Sequence, residues 1–158
     1  MIEIRACLEN EVAAAERVAA EAFVGLRKVY RPTPDAVRNK QKLESDLKRL
    51  VALDGPDVVG TVQYRLQDNR LHLLGLAVSP RRRRSGIARA LIERLCGIAS
   101  DQQCQRLSLY TIEKTGNVAV FERLGFKVVE RAPAENLISM SGEPLTEAYM
   151  ERAIRTQP

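Results

Sequence analysis

The residues most able to do chemistry lie together in the stretch Val78-Ser79-Pro80-Arg81-Arg82-Arg83-Arg84-Ser85-Gly86-Ile87-Ala88. An apolar run from Leu71 to Val78 ends at Pro80, four arginines follow, and Ser85-Gly86 opens a segment with apolar residues at Leu91, Ile92 and Leu95. That order reads as a strand, a basic turn and a helix N-terminus. The first N–H groups of a helix have no intrahelical acceptor and sit at the positive end of its dipole, so the backbone there attracts an anion such as phosphate. Gly86 lets the anion approach closely, and Ala88 nearly as well. Arginines add charge-assisted bonds. The stretch is a candidate pyrophosphate cradle, although an arginine run also suits a solvated charged turn.

Arg83-x-x-Gly86-x-Ala88 directly after a strand resembles the acyl-CoA signature of the GCN5-related N-acetyltransferase (GNAT) family. The resemblance extends to Val78 and Pro80 before the turn and to Phe121-Glu122-Arg123-Leu124-Gly125-Phe126 after it. It implies that acetyl-CoA is the co-substrate, an amine the acceptor, and no metal a participant. The implied CoA-binding residues are Leu76, Ala77, Val78, Arg83, Arg84, Ser85, Gly86, Ile87, Ala88, Asn117 and Phe121.

Acetyl transfer requires a neutral amine, a donor near the thioester carbonyl oxygen and a proton for the departing thiolate. His72, the only histidine, is the candidate base, because its ordinary pKa of about 6.5 suits proton removal near neutrality. Some GNAT enzymes carry a glutamate six residues before the position matching Val78, which is where His72 stands. A lone strand histidine equally suits a structural role. The tyrosine that many members use as the acid is replaced by Phe121, which cannot donate a proton. Tyr110 is the substitute candidate, through water, or else a packing residue. Lys114 stands where the family often has an asparagine, leaving Asn117 as its replacement or as a helix cap. Glu135, Glu143 and Glu147 could attract a cationic amine, and Tyr30 and Arg31 an acidic acceptor.

The chain has 158 residues, 45% of them hydrophobic, enough to bury a core without staples. It is expected to form one acyl-CoA N-acyltransferase domain over residues 1–158. Cys7, Cys96 and Cys104 are odd in number and lack metal-ligand spacing, so they read as reduced, buried thiols of a cytoplasmic protein. No stretch has the length of a membrane span or a signal-peptide core. The net charge is +5. Without the arginine run it falls to about +1, so the balance says little of nucleic acid. The seven aromatics do not interleave with the arginines as a base-stacking groove would need. A homodimer is left open.

Alternation at Ile2, Ile4 and Ala6 predicts a first strand over residues 2–7. Asn10 is the expected cap of a helix over 10–26, and Thr33-Pro34 opens a second over 34–48, its few apolar residues suggesting that it covers a rim. Strands are expected at 50–53, 57–66 and 70–78, with Asp54-Gly55 and Gln67-Asp68-Asn69 as turns. A helix over 85–99, a strand over 106–112, a short helix over 117–124 and a strand over 127–131 follow. Residues 132–144 read as a loop. Propensity favours a helix over 145–153, whereas the resemblance implies a closing strand.

This order argues a three-layer α/β domain. The resemblance sharpens it to a GNAT-like fold, a mixed, mostly antiparallel sheet flanked by helices, in which the strands at 70–78 and 106–112 splay to admit the pantetheine arm. The loops at 26–34 and 132–144 would surround the acceptor. The implied activity is transfer of acetyl from acetyl-CoA to a primary amine by direct attack in a ternary complex. A non-catalytic acyl-CoA sensor is the alternative, and Phe121 strengthens it.

Overall fold

A computed structural model describes residues 1–43 and 46–155. Among the described residues, nine strands and four α-helices follow in chain order. They are β1 (Ile2–Ala6), α1 (Val12–Ala22), β2 (Tyr30–Pro32), α2 (Pro34–Leu43), β3 (Lys48–Asp54), β4 (Asp57–Gln67), β5 (Arg70–Val78), α3 (Ile87–Asp101), β6 (Arg106–Ile112), α4 (Asn117–Arg123), β7 (Lys127–Pro133), β8 (Leu137–Ser139) and β9 (Thr146–Ala153). Seven strands form one sheet in the order β1-β3-β4-β5-β6-β9-β7. All neighbours are antiparallel except β5 and β6, which are parallel and joined through α3.

Local chemistry explains the hairpins. Between β4 and β5, Asp68 and Asn69 both have positive φ (48° and 63°), as a two-residue turn matched to strand twist requires. Between β3 and β4, Gly55 supplies φ 60° and Pro56 completes the turn opposite the Asp54–Asp57 pair. Asymmetry in burial decides the layers. Helix α3 buries Ile87, Leu91, Ile92, Leu95 and Ala99, one stripe at helical spacing, against Leu71, Leu73, Leu107 and Leu109. Truncating a fully buried leucine such as Leu91 to alanine would cost about 2–5 kcal/mol. On the opposite face Ala15 of α1 packs on Val51 and Leu53.

Several sequence expectations change. Helix α1 starts at Val12 and Glu11 is its N-cap, while Asn10 lies in a single 3-10 turn and caps nothing. Glu11 takes over the helix start because its carboxylate receives the Leu8 N–H at 2.9 Å and both terminal nitrogens of Arg5 at 2.7 Å. The helix ends at Ala22, short of Leu26. Helix α2 is described to Leu43, and Lys48 already belongs to β3, so it cannot run to 48. Glu44 and Ser45, also assigned to that helix, lie outside the described residues. Helix α3 begins at Ile87 because Gly86, at φ 83°, is left-handed. The 132–144 segment is not wholly loop, since β8 pairs with β2 in a separate ribbon. Residues 146–153 form a strand against their propensity, because Ala148 and Met150 alternate into the core between β6 and β7. Of the cysteines, all free, only Cys104 is fully buried.

Candidate active site

Strands β5 and β6 pair only from Arg70 with Arg106 to His72 with Ser108. Beyond His72 they separate, and each keeps its partner on the far side, β4 for β5 and β9 for β6. A bulge sharpens the divergence: Gly75, at φ 65°, and Leu76 together stand opposite the single residue Val62. Leu74, Gly75, Leu76 and Val78 are half-buried along the opening. The strands therefore make a V with its vertex at His72 and its mouth at Val78. Six residues of strand span about 20 Å.

At the mouth stands the arginine turn. Ser79 donates its N–H to Val59 O at 2.8 Å, Pro80–Arg82 form a 3-10 turn, and Arg84 and Gly86 both take left-handed φ (65° and 83°). Gly86 caps α3 without any side-chain bond, and the first intrahelical bond runs from Ala90 N–H to Gly86 O at 2.9 Å. The N–H groups of Ile87, Ala88 and Arg89 are thus the helix's orphan donors. A Cβ at Gly86 would meet no protein atom within 4 Å, so the space above this backbone is open to an anion. An open hollow of about 240 Å³ brings together Val78, Arg83, Arg84, Gly86, Ile87 and Ala88. Gly60 brings the helix start this close to the sheet, for a Cβ there would lie 2.8 Å from Ile87 Cγ2.

The arginines divide by use. All three of Arg82, Arg83 and Arg84 line the hollow, but Arg82 is also paired with Asp54 of β3. Arg82, Arg89 and Leu124 line it without having been among the assigned residues. Arg89 could have been found from its place on the first turn of α3, whereas Leu124 carries no sequence signal for this role. Leu76 and Ala77 lie on β5 beside the V, Ala77 with its side chain buried. Ser85 is turned back, its hydroxyl donating to Arg82 O. Asn117 is the first residue of α4 and not its cap, which is Gly116; its N–H donates to Thr115 Oγ1 at 3.2 Å. Phe121 packs edge-on against Phe126, ring centroids 5.9 Å apart.

At the vertex, His72 is 5% exposed and its Nδ1 lies 2.8 Å from Ser108 Oγ. Burial, with the Arg65 and Arg70 charges, pushes its pKa down to about 4, so the ring is neutral at pH 7. Tyr110, 53% exposed, stacks between the His72 ring at 5.3 Å and Tyr149 at 5.1 Å. Both candidate catalytic residues therefore come together, apart from the arginine hollow.

A second hollow of about 370 Å³ lies where the β2–β8 ribbon meets β7 and β9, lined by Ala36, Pro133, Glu135, Asn136 and Glu147. Burial raises the pKa of Glu147, and burial likewise raises that of Tyr30, whose neighbours include Arg27 and Glu147. Glu143 is elsewhere, paired at 3.1 Å with Lys114, which also donates to Ser141 Oγ.

The architecture is thus a mixed sheet opened into a V, with the unpaired N–H groups of a helix start at its mouth. The chain belongs to the acetyltransferase (GNAT) family, and so to a family of N-acetyltransferases: the family's sequence profile matches residues 12–126. The ribosomal-protein-S18-alanine N-acetyltransferase from Escherichia coli has a similar structure (TM-score 0.73, 17% identity, covering 100% of this chain and 97% of that one). So do smu.2055 from Streptococcus mutans UA159 (0.76, 19%, 97% and 99%) and an aminoglycoside 6'-N-acetyltransferase complexed with coenzyme A (0.70, 16%, 99% and 99%). At these identities the likeness shows the fold. No curated protein matches the chain. No helix among the described residues is long and apolar enough to cross a membrane.

Proposed function

We propose that residues 1–158 act as one acyltransferase domain that moves an acetyl group from acetyl-CoA to a primary amine by direct attack in a ternary complex. The observation that carries this reading is the continuity of the V: an anion cradle at Gly86–Ala88 stands at its mouth and a neutral, buried histidine at its vertex. The cradle's orphan N–H groups, with Arg83 and Arg84, hold the pyrophosphate. The free edge of β5 from Val78 back to Leu73 offers backbone groups to the pantetheine amides. The thioester is then delivered near His72.

The attacking amine must shed a proton, and His72, uncharged at neutral pH, is the group able to take it. The departing thiolate takes its proton from solvent or, through water, from Tyr110. Phe121 supplies none. The hollow beside the β2–β8 ribbon, lined by Glu135 and Glu147, is the acceptor pocket, and its carboxylates favour a cationic amine. The assigned CoA-binding roles of Leu76, Ala77, Ser85, Ile87, Asn117 and Phe121 are backbone or packing roles in this scheme.

Calorimetric titration with acetyl-CoA, followed by thiol release with a panel of amines, tests the reading. Tight binding with amine-dependent release is expected, and His72→Gln should slow release about 100-fold with binding retained. Binding without release by any amine would leave an acyl-CoA sensor, and no binding would overturn the cradle.

A further inference from the structure

Among the described residues, two buried side-chain nitrogens have no hydrogen-bond partner, Arg65 Nε and Arg70 Nε. Both arginines flank His72. Arg65 of β4 stands directly opposite it and Arg70 lies two residues before it on β5, so the three side chains leave the same face of the sheet. Among the described residues no carboxylate forms an ion pair with either guanidinium. Glu151, which reaches this end of the face from β9, is committed elsewhere: its Oε2 accepts from the Tyr149 hydroxyl at 2.7 Å and pairs with Arg106 Nε at 3.1 Å. A buried N–H without an acceptor is destabilising, more so on a charged group. What the pair lacks is an anion.

Arg70 shows which anion fits. Its Nη1 donates to the Tyr149 hydroxyl, and its guanidinium lies over the Tyr149 ring, 5.4 Å from the centroid. The edge left over carries Nε–H and Nη2–H side by side, two parallel donors at the spacing of the two oxygens of a carboxylate. Arg65 and Arg70 are both half-buried, so each side chain also meets solvent. The face changes sign along its length. Glu147, in the acidic hollow, stands opposite Ile112, whereas His72 stands opposite Ser108 four residues earlier on β6, about 13 Å along the strands. Carboxylates therefore lie at one end and unpaired guanidiniums at the other, beside His72.

We infer that Arg65 and Arg70 bind a carboxylate of the acceptor, so that the amine acetylated belongs to an amino acid or a similarly compact aminocarboxylate. The substrate class rests on the acetyltransfer reading; the anion site does not. Directly opposed residues of neighbouring strands hold their Cβ atoms about 5 Å apart, so a carboxylate on these guanidiniums leaves the amine within reach of the His72 ring when few bonds separate the two groups. The reaction is unchanged: the neutral amine's nitrogen bonds to the acyl carbon and gives a proton to His72, the C–S bond breaks, and solvent protonates the thiolate. The carboxylate also acts on the base. Burial, and after it the Arg65 and Arg70 charges, disfavour a protonated His72, and an anion beside those charges offsets them and makes the ring a stronger proton acceptor once the acceptor is in place.

Thiol release at saturating acetyl-CoA tests this with acceptors that differ only at the carboxyl group: free amino acids, their primary amides, and the amines that lack the group. The preferred amino acid is expected to exceed its own amide in kcat/KM by at least about 10-fold. Arg65→Gln should bring that ratio close to one through the acceptor KM, with KM for acetyl-CoA unchanged, and Arg65→Lys, which keeps the charge without the fork, should restore part of it. Arg70→Gln should act alike, and Arg65→Gln decides the matter where loss of the Tyr149 contact unfolds that variant. Parity between acids and amides, or a preference that both substitutions leave intact, overturns the inference while acetyl transfer stands. Where no amine releases thiol, the acetyltransfer reading fails and binding judges the anion site: with CoA present, the ring signals of the single histidine are followed in the ¹⁵N-labelled full-length protein as N-acetylated amino acids or their amides are added. A saturable shift with the acids, absent with the amides and lost in Arg65→Gln, upholds the carboxylate site. No such shift overturns it.

Discussion

The two ends of the V are built on opposite plans. The mouth is a contiguous piece of chain, residues 78–89, whose proposed CoA-binding groups are backbone N–H groups and exposed guanidinium groups. The vertex is assembled from β5, β6 and β9, and its candidate groups are side chains that touch one another, His72 and Ser108 buried and Tyr110 half-exposed. A site made of backbone tolerates side-chain change except where a Cβ would fill it or the dihedral angles forbid one. A site made of a buried side-chain chain has no such tolerance, since each member satisfies the next.

The largest effect that could break this contrast is at the mouth. Gly86→Glu puts a carboxylate into the space above the orphan N–H groups and a side chain at φ 83°. Acetyl-CoA affinity is expected to fall at least about 100-fold, which is about 2.7 kcal/mol, by calorimetry. Far-ultraviolet circular dichroism should stay native, because no protein atom stands within 4 Å of the new Cβ. Unchanged affinity would place the pyrophosphate elsewhere.

A smaller effect sharpens the vertex. The folded-state pKa of His72, about 4, lies below its unfolded value of 6.5, so the unfolded chain binds the proton first as pH falls. Stability attributable to the neutral ring is complete above pH 6.5 and is lost progressively between 6.5 and 4, by up to about 3 kcal/mol. Urea midpoints of wild type and His72→Gln should converge over that window. Parallel curves would mean that the ring is not held neutral by burial between Arg65 and Arg70.

The smallest effect separates neighbours in the arginine run. Arg82 is engaged with Asp54, both half-exposed, and Arg82→Ala should cost under about 1 kcal/mol of stability. Acetyl-CoA affinity should change less than about twofold, whereas Arg84→Ala should weaken it several-fold. Equal losses for the two would show that the run acts as undifferentiated charge.

The mouth was legible because its determinants are consecutive. A strand, a basic turn and a glycine before an apolar-periodic helix lie in one window, and only the helix start moved, to Ile87, because Gly86 is left-handed. Tyr110 and His72 could each be named as candidates, but nothing along the chain says that their rings stack at 5.3 Å. The β2–β8 ribbon was hidden for a similar reason: two three-residue strands carry too little pattern to be seen, and each exists only because the other satisfies its backbone.

By itself the sequence determined the order of the elements in the central part of the chain, including the strand, basic turn and helix start of the proposed cradle, since dihedral preference, hydrophobic period and helix-end polarity act over a few residues. Only the tertiary structure decided that 146–153 is a strand, that β5 and β6 part after His72, and that Ser108 stands between a histidine and a carboxylate 79 positions apart in the chain. Those outcomes depend on which strand lies beside which and in what register, and pairing energy between distant segments leaves no trace in the local order of residues.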